Sequence, residues 1–600
     1  MEDMQMKNVL KYMILAGVMA FALTSCEKFL DRPSESSYTT LQYYKNDSQV
    51  EAGVNFLYNS PWYDIIRFYI YGSETMCGNV YQGANAYTTL TVNGTDEDLK
   101  NMAYSLWAVN GQANTVIDNI LTYATSDVTQ ATKDRCIGEA LAWKAMAYFM
   151  LVRTFGDVPI VHNNTQVIGS ATYNELSKVR KADVYEYVIL TLEKAMELLP
   201  KNAYIGQKNR IDYYAAEALL AKVYLAKAGV SGSLDQGDLE KARDYAKDVI
   251  EKSGRSLTPV YSDIFRMTPD KYQQTGECLF TWHWTASKEY WTAQNSIQCD
   301  VGMTGFSETG NLWGGWKGPS VDLLEDFGVS PADDPTTRVD TDDRRKATCM
   351  MFGDFYPYFW TDLGGFDMYR FAYDPSYYAS GFESTAAEGQ WMCNSGAQYV
   401  KHLYGDCYDH EQAFGYKPWG MYNALPTQVF RLGDLYLIYA EACLLTGDDA
   451  TAKEYVNKVR ARANAAPLST VDFKAVWRER RLELAMEGDR WYDYVRRSYY
   501  DAQACCDEIL KQHRSYYDGL NAAYKAFVVD ETTGEYVGPG NAKPWDNSGI
   551  VYNPMEEIKT VTPEMFTMPF PTEDVVMNPN VGSAAEVISV DVRNTYSYDF

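Results

Sequence analysis

The sequence predicts a mostly α-helical fold, a tetratricopeptide-like scaffold of helix pairs carrying a large, irregular, partly β, loop-rich insertion. Three observations predict it. Apolar residues recur at helical spacing in two separate blocks, about 100–253 and 430–497. Within each block, helices follow one another as hairpins with small residues along the seam. Between the blocks, residues 255–428 replace Ala and Leu with Gly, Asn, Asp, Ser and aromatic residues. At 600 residues, 46% hydrophobic and 22% charged, the chain can bury a sizeable core and suits several domain-sized units. Its 54 Lys and Arg against 80 Asp and Glu leave a net charge of −26, which excludes a nucleic-acid partner that needs a basic face.

The first element is an address. Residues 12–23, YMILAGVMAFAL, follow Lys7 and Lys11 and are too short to span a bilayer, as a secretory h-region is. Leu23-Thr24-Ser25-Cys26 ends the run and resembles a bacterial lipobox, in which the chain is cut before a lipidated cysteine. Residues 1–25 are therefore read as a lipoprotein signal peptide and Cys26 as the lipidation site. Several acyl chains anchor stably where one would not. Glu2 and Asp3 do not suit an n-region, which puts the expected translation start at Met6. No later apolar run approaches the length of a span.

Residues 26–254 form an expected N-terminal helical region. Helical periodicity runs through 136–155, then 183–199 ending at Pro200, then 212–228 ending at Gly229, then 238–252 ending before Gly254. Ala215, Ala216, Ala218, Ala221 and Ala226 leave room for close helix approach. Residues 255–428 form the insertion, with short β-like runs such as ECLFTWHW at 277–284. It is too long for a simple loop and is where recognition is expected. Residues 429–600 open with Phe430–Ala463, a helix, a turn at Asp448-Asp449 and a second helix. This matches the repeat of about 34 residues typical of tetratricopeptide pairs. A further helix is expected over 474–497. Its Arg480, Arg481, Glu483, Glu487, Asp489 and Arg490 are read as ion pairs that lock helices rather than as catalytic groups. From about 527 on, turns dominate.

With Cys26 assigned to lipid, ten cysteines remain, and they show no CxxC and no zinc spacing. An exported chain permits disulfides, but pairing cannot be read from spacing. The five histidines show no ligand spacing, so no metal site and no cofactor is expected. Calcium would suit an exported acidic chain, but no EF-hand-like loop supports it. No GxSxG, P-loop or Rossmann glycine pattern appears.

Five stretches look like one family. They are Cys26-Glu27-Lys28-Phe29-Leu30-Asp31-Arg32-Pro33, EALAWKAMAYFMLVRTFGDVPIV at 139–161, RLGDLYLIYAEACLLTG at 431–447, EYVNKVRARANA at 454–465 and ERRLELAMEGDRWYDYVR at 479–496. GWKGPSVDLLEDF at 315–327 and PFPTEDVVMNPNV at 569–581 fit as well. Together they resemble the SusD/RagB family of surface nutrient-binding lipoproteins over nearly the whole mature chain. The stretch 582–600 departs from the family's usual ending, and Lys144 stands where Arg is more typical. The resemblance implies a mostly helical body lipid-anchored on the outer face of the outer membrane. It implies a SusC-like TonB-dependent transporter as partner, a glycan ligand and no catalysis. The RagB branch makes a peptide or protein fragment the alternative ligand. A glycoside hydrolase, which needs two carboxylates about 5 to 10 Å apart, suits a helix-pair scaffold poorly.

Sugars present flat C–H faces and a rim of hydroxyls, so a sugar-binding face needs exposed aromatic rings beside amides and charged groups. The chain has 49 tyrosines and 14 tryptophans. Its loops at 74–92, 280–316 and 354–391 interleave such residues, Asn79, Asn295 and Gln298 among them. The expected ligand-binding residues are Tyr290, Trp291 and Trp313, then Tyr87, Tyr358, Trp360 and Trp391. Trp282 and Trp284 alternate in a strand-like run, and Trp316 precedes Pro319 in a family-like motif, so these three are read as structural.

Overall fold

The computed structural model describes residues 43–600 except 202–209, 267, 269–274, 287–290, 308–311, 313–314 and 378–392. Cys26, Tyr290, Trp313 and Trp391 lie outside the described residues. The scaffold consists of α1 (Asp47–Asn55), α2 (Glu97–Tyr123), α3 (Gln130–Phe155), α4 (Lys181–Leu198), α5 (Tyr213–Lys227) and α6 (Gln236–Lys252), and after the insertion α7 (Leu432–Leu445) and α8 (Asp449–Arg462). Most start on a polar cap. The side chains of Asp96, Thr129, Asp212, Asp235 and Asp448 each accept an N–H of the first turn. From α2 onward each helix packs on the next, and α6 packs on α7. The stack therefore continues across the insertion, as helix-pair solenoids do. The alanines of α5 are buried, so its neighbours close on both sides.

Four short strands matter to the architecture: β1 (Lys178–Val179), β2 (Cys278–Trp282), β3 (Thr427–Arg431) and β4 (Val587–Ile588). β2 pairs antiparallel with β3 and clips the start of the insertion to its end. β1 pairs in parallel with β4, tying the closing segment to the scaffold. The core passes between the parts without a break. Trp62 of the N-terminal region stacks on Trp282 of β2 at 5.5 Å and meets Trp143 of α3 at 5.1 Å. Trp282 and Trp284 are both buried, in keeping with their structural reading. Among the described residues no disulfide forms, and of their ten cysteines only Cys407 is not buried.

The helix expected over 474–497 is two helices, α9 (Phe473–Leu484) and α10 (Arg490–Ile509). Ala485 turns extended, and Met486 and Gly488 adopt positive φ of 69° and 86°. At Gly488 a Cβ would come within 2.4 Å of the Tyr69 carbonyl oxygen, so only glycine lets the turn sit there. The break sends Glu487 inward. Its carboxylate accepts from Arg431 at 2.8 Å and from Lys401 at 2.8 Å. Glu483 accepts from Arg344, Arg431 and Arg462. Burial alone would raise the Glu483 carboxyl, but Arg462, Arg431 and Arg344 outweigh it and hold it far below the usual carboxylate range. Asp489 likewise binds Arg153 at 2.9 Å and Lys222 at 2.7 Å. These pairs join α3, α5, α9, α10 and the insertion, so the charged motif locks elements together.

Candidate functional site

The N-terminal region builds the site's floor. Arg67–Gly72 is a π-helical turn, a form that commonly marks functional positions. Within it, the Tyr71 hydroxyl donates to the Ile297 carbonyl at 3.1 Å. This bond fixes the turn against the insertion helix Ile297–Val301, which carries Asp300. Gly72 lets the Tyr87 ring approach, because a Cβ there would stand 3.1 Å from Cε1. Tyr87 is held by its hydroxyl, which donates to Asp96 at 2.7 Å.

These residues enclose a polar pocket of about 190 Å³, lined by Arg67, Tyr71, Gln82, Tyr87, Asp98, Asp300 and Lys317 among others. Arg67 Nε lies 3.6 Å from Asp300 Oδ1, and that charge raises the guanidinium further. Burial raises the Asp98 carboxyl. Burial lowers the Lys317 ammonium, which sits 5.1 Å over the Tyr71 ring and 5.0 Å over the Trp316 ring. The pocket thus offers donors and acceptors side by side.

One exposed aromatic ring adjoins it through Lys317. Trp316 is 43% exposed, which corrects its structural reading: Lys317 beneath it leaves the indole standing at the surface. Trp291 is 59% exposed and packs edge-on against Tyr63 at 6.2 Å, four residues before Arg67. The Met421 carbonyl accepts from Asn295 N–H at 3.0 Å and brings in the turn at Trp419, itself 58% exposed.

Of the expected ligand residues, Tyr87 lines the pocket and Trp291 stands exposed. Trp360 is a correction. It is 1% exposed, its indole N–H donates to the Phe306 carbonyl at 3.0 Å, and its backbone N–H donates to Asp409. Its ring has no face for a ligand. Tyr358 is half-buried beneath the Arg266 guanidinium at 3.8 Å and lines a different cavity of about 450 Å³. The amides Asn79, Asn295 and Gln298 are buried and bond within the protein: to Glu74 and Arg481, to the Leu425 carbonyl and to the Gly405 carbonyl. Sequence reasoning missed Arg67, Asp98, Asp300, Lys317 and Trp419. The adjacent pair Trp316-Lys317 in GWKGP was the one local signal available. Among the described residues, no cluster of three or more His, Cys, Asp or Glu could hold a metal ion, and no helix is long and apolar enough to cross a membrane.

Comparison with known proteins gives consistent matches. A family model described as the SusD family matches residues 240–584, and one described as starch-binding, associating with outer membrane, matches 28–225. A SusD-like protein of Bacteroides ovatus is 29% identical over 587 residues, 95% of this chain and 96% of that one. The starch-binding protein SusD of Bacteroides thetaiotaomicron is 26% identical over 63% of this chain and 67% of its own length. A crystal structure with a xylogluco-oligosaccharide superposes with a TM-score of 0.70 at 26% identity, over 90% of this chain and 99% of that one.

Proposed function

The chain belongs to the SusD family, and we propose on that footing that it is a cell-surface lipoprotein that captures oligo- or polysaccharide and passes it to a SusC-like TonB-dependent transporter. Cys26 is its lipid anchor in the outer membrane, with the aromatic platform facing the exterior. The observation that carries this reading is a pocket holding Arg67, Asp98, Asp300 and Lys317 with an exposed indole, Trp316, against its Lys317, and a second exposed indole, Trp291, packed on nearby Tyr63. The rings cover the C–H faces of sugar residues, and the charged groups take the hydroxyl rim. The same mixture of flat rings and charges suits a glycan better than the peptide alternative, which would need an apolar groove or an open strand edge at this place. The protein binds and does not cut. It uses no cofactor and no metal.

Affinity electrophoresis through gels cast with polysaccharides tests the reading. The similar structure with a xylogluco-oligosaccharide makes xyloglucan the first probe, with laminarin and starch beside it. Retardation by at least one polysaccharide, lost in Trp291→Ala/Trp316→Ala, is expected, with no new reducing ends on incubation. Unretarded migration in every gel of a broad panel, or steady release of reducing ends, would overturn it.

A further inference from the structure

The two departures from the family's pattern, Lys144 and the stretch 582–600, meet in space. Lys144 lies on α3 and is fully buried. Its ammonium donates to Asn114 Oδ1 of α2 at 2.7 Å and to the His162 carbonyl at 3.0 Å. Among the described residues no carboxylate lies within ion-pair distance of it; Asp118 of α2 faces it from farther off. The ring centres of Tyr187 on α4 and of Tyr598 in the closing stretch lie 5.6 and 5.5 Å from Nζ. His162 stands beside it. The Ser597 carbonyl can only accept, so His162 Nε2 donates to it at 3.0 Å, and Nδ1 accepts from the Tyr187 hydroxyl at 3.0 Å. Tyr596 and Tyr598 pack on the imidazole, with ring centres 5.3 and 4.7 Å away. Residues 596–598 thus roof a buried amine and an imidazole.

The hold on this roof is light. The chain is anchored as far as Arg593, which pairs with Glu186 and Glu193 of α4 at 2.7 and 2.9 Å. Beyond it only Tyr596 and Tyr598 are half-buried, and the rest of 594–600 is exposed. The Tyr598 hydroxyl bonds Thr191 at 2.9 Å and donates to Tyr187 at 3.3 Å. Segments with so few buried contacts open before the body does.

We infer that residues 594–600 form an acid-released strap, seated on Lys144 and His162 while both are neutral and lifted once they carry protons. A proton on His162 Nδ1 removes the acceptor of the Tyr187 hydroxyl, on which Tyr598 leans. A charge on Lys144 sits under the roof with no counter-ion in reach, which burial penalises. Accordingly, burial pulls Lys144 down to about 7. Burial and then the Lys144 charge pull His162 down to about 4, against the Ser597 bond and the Asp599 charge. Burial keeps the surrounding phenols of Tyr148, Tyr187, Tyr596 and Tyr598 neutral. With the strap lifted, water restores the ordinary values of about 10.4 and 6.5. Seating is therefore strongest at alkaline pH. Lys144 weakens it as pH falls toward 7, and His162 weakens it from about 6.5 toward 4. The device stands apart from the binding reading and needs no ligand.

The test puts 4-trifluoromethylphenylalanine at Phe600 in the full chain and follows its fluorine resonance from pH 8 to pH 5. Phe600 packs on Tyr598 at 5.9 Å and lies 5.5 Å from the Lys194 ammonium, so seated and lifted states give it different surroundings. Tyr598→Ala marks the lifted resonance. The ratio of lifted to seated strap should rise roughly tenfold or more between pH 8 and pH 5, while near-ultraviolet circular dichroism shows the body intact. His162→Gln should remove the rise below about pH 6.5, and Lys144→Met the rise above it. Thermal melting checks that Lys144→Met folds, and His162→Gln alone decides if it does not. A ratio that moves less than about threefold, a lifted resonance absent at both ends of the range, lifting only where the body's dichroism is lost, or a pH response unchanged in the variants would each overturn the inference.

Discussion

Trp291, Trp316 and Trp360 share a side chain and differ in fate. Replacing either exposed indole with alanine should weaken polysaccharide binding by about 1 kcal/mol, roughly fivefold in Kd, with melting unchanged. Trp360→Ala should cost about 3–5 kcal/mol of stability, read as a lowered unfolding midpoint. The sequence told the loops apart from the scaffold but not the platform from the core. The Phe306 carbonyl takes the Trp360 indole N–H and Asp409 takes its backbone N–H, both remote in sequence, whereas the neighbour seen at the Trp316 ring is the adjacent Lys317. Amide-rich loops misled for the same reason, since Asn295 and Gln298 spend their hydrogen bonds on distant carbonyls. The histidines carry a pH prediction. Burial pulls His162, His402 and His410 down to about 4. The unfolded chain, with ordinary imidazoles near 6.5, therefore takes up protons first as pH falls. Stability should be full above about 6.5 and decline toward pH 4, and urea midpoints across that range check it. His402→Gln should flatten the slope.

At the scale of elements, the scaffold helices were legible because an apolar period runs through each and a polar cap opens most of them. The break between α9 and α10 was not. It depends on Gly488 meeting the Tyr69 backbone and on Glu487 reaching Arg431, contacts that no local pattern encodes. Within the insertion the strands are so short that pairing partners, not propensity, decide them. The ion pairs around α9 give a prediction with a built-in contrast. Glu483→Ala would leave Arg344, Arg431 and Arg462 buried without their shared carboxylate and should destabilise the protein by about 3–5 kcal/mol. Lys247→Ala removes only an exposed pair with Glu251 and should change stability by less than about 0.5 kcal/mol. Chemical denaturation of both variants distinguishes locking pairs from decorative ones.

Across the whole molecule, the stack that persists from α6 to α7 explains how so long an insertion is tolerated: its two ends leave and rejoin one continuous support. Glycan retention should survive EDTA, and Cys26→Ala should move the protein from the membrane fraction to the soluble one. The buried thiols have a practical consequence. Burial lifts the thiols of Cys77, Cys278 and Cys349, so they exist as unreactive SH groups while the molecule is closed. An alkylating reagent then reads openings one by one, and its rate serves as a stopwatch for native lifetime. A preparation left in air ages through whichever copies happen to be open, and mismatched cross-links keep those copies from ever closing again.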